Sequence, residues 1–290
     1  GRSCAPRHVA APWPALVAAL AALIGTASSF VERPQLVSFF MLAGWVGASW
    51  RTSEDLQPRW WLIPLTWVWA SSHGLWLTGI GVGVIVVLGL SFDRRLTIRS
   101  AARLMLVPLA SLAVVALTPV GPRLLLTPFE VSQNATEYVQ EWQPTSVRAS
   151  LTAIITLLLV AGAVLGWIRS PEKTAWWKIL LAIASVVSTL AMLRTIPIGA
   201  IVAAPLAASA IQSLRHTAPE RPGRGSVHLW APLVLACACI AIPVTALVAR
   251  QPSDVPERLR ATLDVAPAGA VVLNDHSLSG WLLWREPQLV

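Results

Sequence analysis

Charge is scarce in this chain: Asp, Glu, Lys and Arg make up only 12% of its 290 residues, and Asp plus Glu number 14. Soluble domains carry roughly twice that charged share, so a water-soluble globular protein is excluded. Cysteine is nearly absent. Cys4 stands near the start, and Cys237 and Cys239 lie inside an apolar run, which provides neither a disulfide framework nor a zinc spacing. There is no Gly-rich phosphate loop with Lys, no His/Cys cluster, no Ser-centred nucleophile elbow and no CxxC. Neither a metal nor a cofactor is expected, and redox chemistry gets no support. A signal peptide is not indicated, because the apolar run from Val9 to Phe30 lacks a cleavage site and further runs follow it.

Apolar residues dominate instead, at 55% of the chain and a mean hydropathy of +0.64. Apolar runs fall at 9–30, 36–50, 60–72, 75–92, 104–118, 150–168, 177–193, 196–212 and 230–249. Runs of this kind approach the roughly 20 helical residues that cross a hydrocarbon layer about 30 Å thick. The fold class expected is an all-α polytopic membrane bundle of about nine transmembrane helices. The stretch 60–92 decides the number, since 33 residues would form one helix about 50 Å long. Ser71, Ser72, His73 and Gly74 interrupt it, so a helical hairpin is expected there.

Charge then sets the sidedness. With nine spans and a cytoplasmic N-terminus, the inner segments hold 14 Lys/Arg and the short outer loops four, as the positive-inside rule requires. The net charge of +8 therefore marks topology, not nucleic-acid binding. Of fifteen tryptophans, Trp13, Trp50, Trp60, Trp61, Trp167, Trp176, Trp177 and Trp230 fall at expected inner boundaries, where an aromatic belt would anchor the bundle. The expected organisation is a transmembrane domain over 1–249, N-in and C-out, with an outer loop at 119–149 that includes an amphipathic helix from Phe129 to Trp142. The start of a small extracytoplasmic α/β domain follows at 250–290, cut short, with a helix over Asp254–Asp264, a strand over Ala270–Leu273 and a second helix from Ser277. No methionine precedes Met41, so a fragment of a longer membrane protein is expected.

The outer face collects Glu32 and Arg33, His73, Arg123, Glu141 and Arg194 from four separate loops. Arg194 is the most informative, because it stands with Thr195 and Pro197 at a short turn between two apolar runs, where a charge costs about 2.5–3.5 kcal/mol on insertion scales. Cations and a histidine beside carboxylates at an outer interface fit a site that grips a phosphate and moves protons. The plain readings are that Arg33 and Arg123 snorkel, that Arg194 pairs with a carboxylate, that His73 caps the hairpin, and that Glu130, Glu137 and Glu141 form a solvated face. The sequon Asn134-Ala135-Thr136 is read as a chance match, and the glycines of Gly79-Ile80-Gly81-Val82-Gly83 as positions of close helix packing.

Several strings in order carry a family likeness: Glu32-Arg33-Pro34-Gln35, Trp69-Ala70-Ser71-Ser72-His73-Gly74, PVGPRLLLTPF from Pro119 to Phe129, Glu141-Trp142-Gln143-Pro144, and Leu273-Asn274-Asp275 before Ser279-Gly280-Trp281-Leu282. Over roughly 30–290 the chain resembles a group of bacterial polytopic membrane proteins that look like distant relatives of GT-C glycosyltransferases. It departs from them at Ser71, where the group tends to show Asn, and at Thr118-Pro119-Val120-Gly121, where it shows an Asn-Pro-Tyr-Gly type of turn. The resemblance implies a multi-pass protein of the bacterial cell membrane that transfers a sugar from a polyprenyl-phosphate carrier outside the cytoplasm. In that reading Arg33, Arg123 and Arg194 hold the lipid phosphate, His73 orients it or the acceptor, and Glu32 or Glu141 assists as base. The family's acidic catalytic residue belongs to an outer loop before the point where this chain starts. The alternatives are a non-catalytic binder or transporter of lipid-linked saccharide, and a structural membrane protein.

Overall fold

The computed structural model describes residues 12–29, 35–130, 140–171, 173–213 and the short pieces 263, 265–267 and 269–270. Eight α-helices lie wholly within them: α1 Pro12–Thr26, α2 Gln35–Asp55, α3 Leu62–Ser72, α4 Trp76–Phe92, α5 Ile98–Val115, α6 Leu151–Arg169, α7 Trp176–Ala191 and α8 Ile196–Ser213, and residues 127–130 are helical as well. Each of the eight overlaps one of the first eight apolar runs, though α5 begins six residues before its run, inside the stretch expected as a loop. Among the described residues there is no strand.

The chain divides into two compact units, Gly1–Glu220 and Arg221–Val290. In the second, the described residues make two tight turns, Ala266 N–H to Leu263 O and Ala270 N–H to Pro267 O, each 3.0 Å. The expected ninth span, most of the expected α/β start and residues 131–139 of the expected surface helix lie outside the described residues. Its far end, Gln140–Trp142, is a 3-10 turn.

Three stretches, Ile98–Val115, Leu151–Arg169 and Leu193–Ser213, are long and apolar enough to cross a membrane. Leu23, Phe40, Leu109, Leu158 and Leu165 expose half or more of their surface, which suits a membrane protein whose outward face meets acyl chains. The hairpin expected over 60–92 is present as α3 and α4, separated at His73–Leu75.

Since lipid is as apolar as leucine, helices in a membrane associate through close packing of small residues and through internal hydrogen bonds. Both devices recur here. Of the three long stretches, that containing α8 is the most enclosed, with 61% of its residues buried against 28% for the other two. Its alanines at 200, 203, 207 and 210 are buried, and it packs on α1, α6 and α7. Ser185 of α7 donates to Gly199 O of α8 at 2.8 Å, joining the two helices across their interface. Between α2 and α3, the buried Trp45 Nε1 donates to Thr66 Oγ1 at 3.2 Å, and Thr66 donates on to Leu62 O at 2.8 Å.

The indole of Trp45 lies along α4 because Gly79 and Gly83 leave a slot for it: a Cβ on Gly79 would come 2.7 Å from its five-membered ring and 2.6 Å from Trp69, and one on Gly83 2.7 Å from its six-membered ring. Gly81, on the other side of the helix, faces open space, so only two of the three glycines serve close packing.

The loops sort to two ends. At one, Trp50 meets Trp177 edge-on at 4.8 Å, Lys178 lies 5.5 Å from the Trp50 ring centroid, and Asp93 accepts the Trp176 N–H through Oδ1 at 3.0 Å and Oδ2 at 3.2 Å. A carboxylate thus caps α7 from a different helix, at the end where the backbone dipole favours negative charge. Trp177 is only 3% exposed, so it is a core residue and not the interfacial anchor expected for it. Pro58, Arg59 and Leu62 share a small cavity with Ser49 and Thr52 of α2, so the start of α3 lies level with a point inside α2, not at its tip. The opposite end carries the turns 73–75 and 192–195 and the segment 140–149.

Gly79→Ala or Gly83→Ala should destabilise the bundle by about 1–3 kcal/mol through overpacking against Trp45. Gly81→Ala should change it by less than about 0.5 kcal/mol. Thermal unfolding of the three variants in one detergent measures the difference.

Candidate functional site

At that opposite end, His73 terminates α3 in an extended conformation and its backbone N–H reaches back to Trp69 O. Arg194 sits in the 3-10 turn Leu193–Thr195 between α7 and α8. Their side chains meet, with Arg194 Nη2 3.0 Å from His73 Nε2. On the other side of the ring, His73 Nδ1 lies 2.8 Å from Ser38 Oγ, which also accepts from Trp69 Nε1 at 2.7 Å. Ser38 and Trp69 are fully buried, whereas His73 and Arg194 are half-buried.

Donor chemistry fixes the tautomer. A guanidinium has five N–H donors and no acceptor, so Nε2 must present its lone pair to Arg194. In the neutral ring the proton then sits on Nδ1 and is donated to Ser38 Oγ, which accepts from His73 and Trp69 together. The Leu75 N–H, 3.4 Å from Nδ1, therefore faces a nitrogen that already carries a proton and donates nothing useful to it. Burial, and secondarily the Arg194 charge, pull the His73 pKa down from 6.5 to about 4. The imidazole is held neutral beside a permanent cation.

A third segment closes over this pair. Leu193 N–H donates to Gln143 O at 3.2 Å and Thr145 N–H to Leu190 O at 3.3 Å, which lays residues 143–145 along the α7–α8 turn. Trp142 then stacks on Arg194, with the guanidinium carbon 5.2 Å from the ring centroid. Glu141, next in the same 3-10 turn and half-buried, is carried to this end of the bundle with it. Two buried polar atoms on these segments, Trp76 Nε1 and Thr145 Oγ1, have no hydrogen-bond partner among the described residues.

The six site residues expected from sequence thus fare differently. His73 and Arg194 are brought into direct contact, and Glu141 arrives beside them in sequence through Trp142. Arg123 is exposed on the 3-10 helix Gly121–Leu125, and among the described residues no hydrogen bond or ion pair ties its guanidinium to the pair. Glu32 and Arg33 lie outside the described residues. Sequence reasoning missed Ser38 and Trp69, whose only signal is a hydroxyl one turn into an apolar run and one tryptophan among fifteen. Among the described residues no group of three His, Cys, Asp or Glu could hold a metal ion. No family model, no curated protein and no solved structure matches the chain.

Folding excludes the proton from His73, so the sign follows: the unfolded chain binds it first as pH falls. Stability should be complete above about pH 6.5 and decline as pH falls from there toward 4. Histidine ring NMR should show this residue still neutral at pH 5.5. Arg194→Gln should move its midpoint part of the way back toward 6.5, since the charge is removed and burial remains; no movement would show that the two side chains are not in contact in solution.

Proposed function

We propose that the chain is a membrane-embedded sugar transferase of GT-C type that grips a polyprenyl-phosphate-linked sugar at the end of the bundle bearing His73 and Arg194. The observation that carries the reading is the Arg194 guanidinium held between His73 Nε2 and the Trp142 ring. The histidine and the indole fix the orientation of a planar guanidinium, the group suited to bidentate recognition of phosphate. The unpartnered donors Trp76 Nε1 and Thr145 Oγ1 on the adjoining segments add capacity for ligand oxygens. In this reading Glu32 or Glu141 is the base, and Arg33 and Arg123 extend the cationic surface toward the carrier.

The topology proposed with it is nine spans, N-in and C-out, with the site facing away from the cytoplasm. Its support is the charge at the opposite end, where Arg51, Arg94, Arg95, Arg99, Arg103, Arg169 and Lys173 lie in or beside the loops.

One observation favours the alternative of a non-catalytic binder or transporter of lipid-linked saccharide. The Nε2 lone pair of His73 is engaged by Arg194, so the imidazole positions a cation and takes no proton from an acceptor.

Arg194→Lys keeps the charge and loses the planar fork, so affinity for a polyprenyl-phosphate sugar should fall at least about tenfold, by loss of a charged hydrogen bond of about 1.5–3 kcal/mol. Arg194→Ala should abolish it. Equal affinity in either variant at unchanged thermal stability would refute the phosphate grip. Label transfer to an acceptor then separates enzyme from binder. Independently, in a variant lacking the three native cysteines, single cysteines at 123 and 148 should react with an impermeant reagent in intact cells and those at 95 and 173 should not.

A further inference from the structure

The turn between α4 and α5, at the end of the bundle away from His73, carries Arg94 and Arg95, and the first two turns of α5 carry Arg99 and Arg103, all exposed. Among the described residues no hydrogen bond or ion pair reaches any of the four guanidinium groups. The turn's one carboxylate, Asp93, is the sole acidic residue between Asp55 and Glu130, and it is engaged by the Trp176 N–H. Asp55 in turn is held by Arg59 at 2.5 Å. Four permanent cations within ten residues therefore have no counter-ion among the described residues, and Arg99 and Arg103 stand four apart on one helix, where like charges repel.

The turn is stiff. Arg94 N–H bonds to Ser91 O at 2.9 Å and Arg95 N–H to Leu90 O at 3.1 Å, the paired closure of a helix C-terminus, with Arg94 at φ +54°, where glycine is the usual residue. Two residues on, Thr97 opens α5 with a reciprocal capping box to Ser100. The cations are thus presented on a fixed frame. Their surroundings are apolar: Ile98 is 92% exposed, Phe92 60% and Leu106 51%. Ile98, Ala102, Leu106 and Leu109 succeed one another along the exposed side of α5, and Arg99 and Arg103, the second and sixth residues of the helix, flank the start of that stripe. Loop charges that only set topology would need no place beside a lipid-facing stripe.

We propose that Arg94, Arg95, Arg99 and Arg103 form a binding site for the headgroup of an anionic phospholipid whose acyl chains lie along Ile98, Ala102 and Leu106 of α5. Guanidinium groups bind the phosphodiester by charge-assisted hydrogen bonds, and the adjacent exposed stripe selects a lipid over a free anion. This site is independent of the one at His73 and Arg194.

The test is native mass spectrometry of the full chain from micelles holding equal amounts of phosphatidylglycerol and phosphatidylcholine with matched chains. Phosphatidylglycerol should be retained preferentially. Arg99→Gln with Arg103→Gln should cut the preference about 25-fold, at about fivefold per arginine near the surface. Arg99→Lys with Arg103→Lys should keep most of it. Glycerophosphoglycerol added at the same concentration should displace nothing; displacement would make this a free-anion site and overturn the lipid assignment. Equal retention of the two lipids by the unaltered chain overturns it whether or not the neutralised variant folds, as does an unchanged preference in that variant.

Discussion

A guanidinium can only donate hydrogen bonds and keeps its charge at every accessible pH. Placed in a three-residue turn between two apolar helices, it must find an acceptor or water, and in this bundle the acceptor is an imidazole. That one contact, Arg194 to His73, orders much of what surrounds it. It adds to burial in holding the histidine neutral, it directs the ring proton toward Ser38, and through Ser38 it reaches the indole N–H of Trp69. Four helices are linked by it, because Ser38 belongs to α2, Trp69 and His73 to α3 and its end, and Arg194 to the α7–α8 turn. The segment around Trp142 completes the enclosure by covering the guanidinium from its face.

Hydroxyls and indoles do for this bundle what ion pairs do for many soluble ones. Ser185, Thr66 and Ser38 each satisfy a neighbouring helix at little desolvation cost, since a neutral hydrogen bond needs no charge to be removed from water. Glycine supplies the close approaches that such short side chains require. The exposed ion pair of Arg59 with Asp55 contributes little by comparison, as expected of a pair near water.

Eight of the helices were legible as apolar runs, and the break at His73 could be read from a Ser-Ser-His-Gly string that no continuous span would tolerate. Arg194 could be singled out for the same reason, because charge in a short turn between spans demands an explanation. Its partner could not be paired with it from sequence, since 121 positions separate the two and only the packing of α2, α3, α7 and α8 brings them together. Ser38 and Trp69 were hidden because serine and tryptophan inside an apolar run look the same whether they face lipid or a histidine. Trp177 misled in the opposite direction: beside Trp176 at a boundary it has the pattern of a membrane anchor, yet its ring is directed inward against Trp50. Arg123 shows the limit of grouping residues by expected side, for two loops at one end of a bundle need not touch.

The brevity of α3 has a consequence for the lipid itself. Its 11 residues span about 16 Å, roughly half of a hydrocarbon layer. Its His73 end lies with the turn 192–195, so the deficit falls at the other end, where Pro58–Trp61 run without helix and Trp60 and Trp61 remain about half exposed. In a bilayer, acyl chains beside that corner would meet a hydrophobic mismatch, which local thinning of the leaflet relieves. By itself α3 is too short to cross a hydrocarbon layer, whereas the stretch Leu193–Ser213 is long and apolar enough to do so.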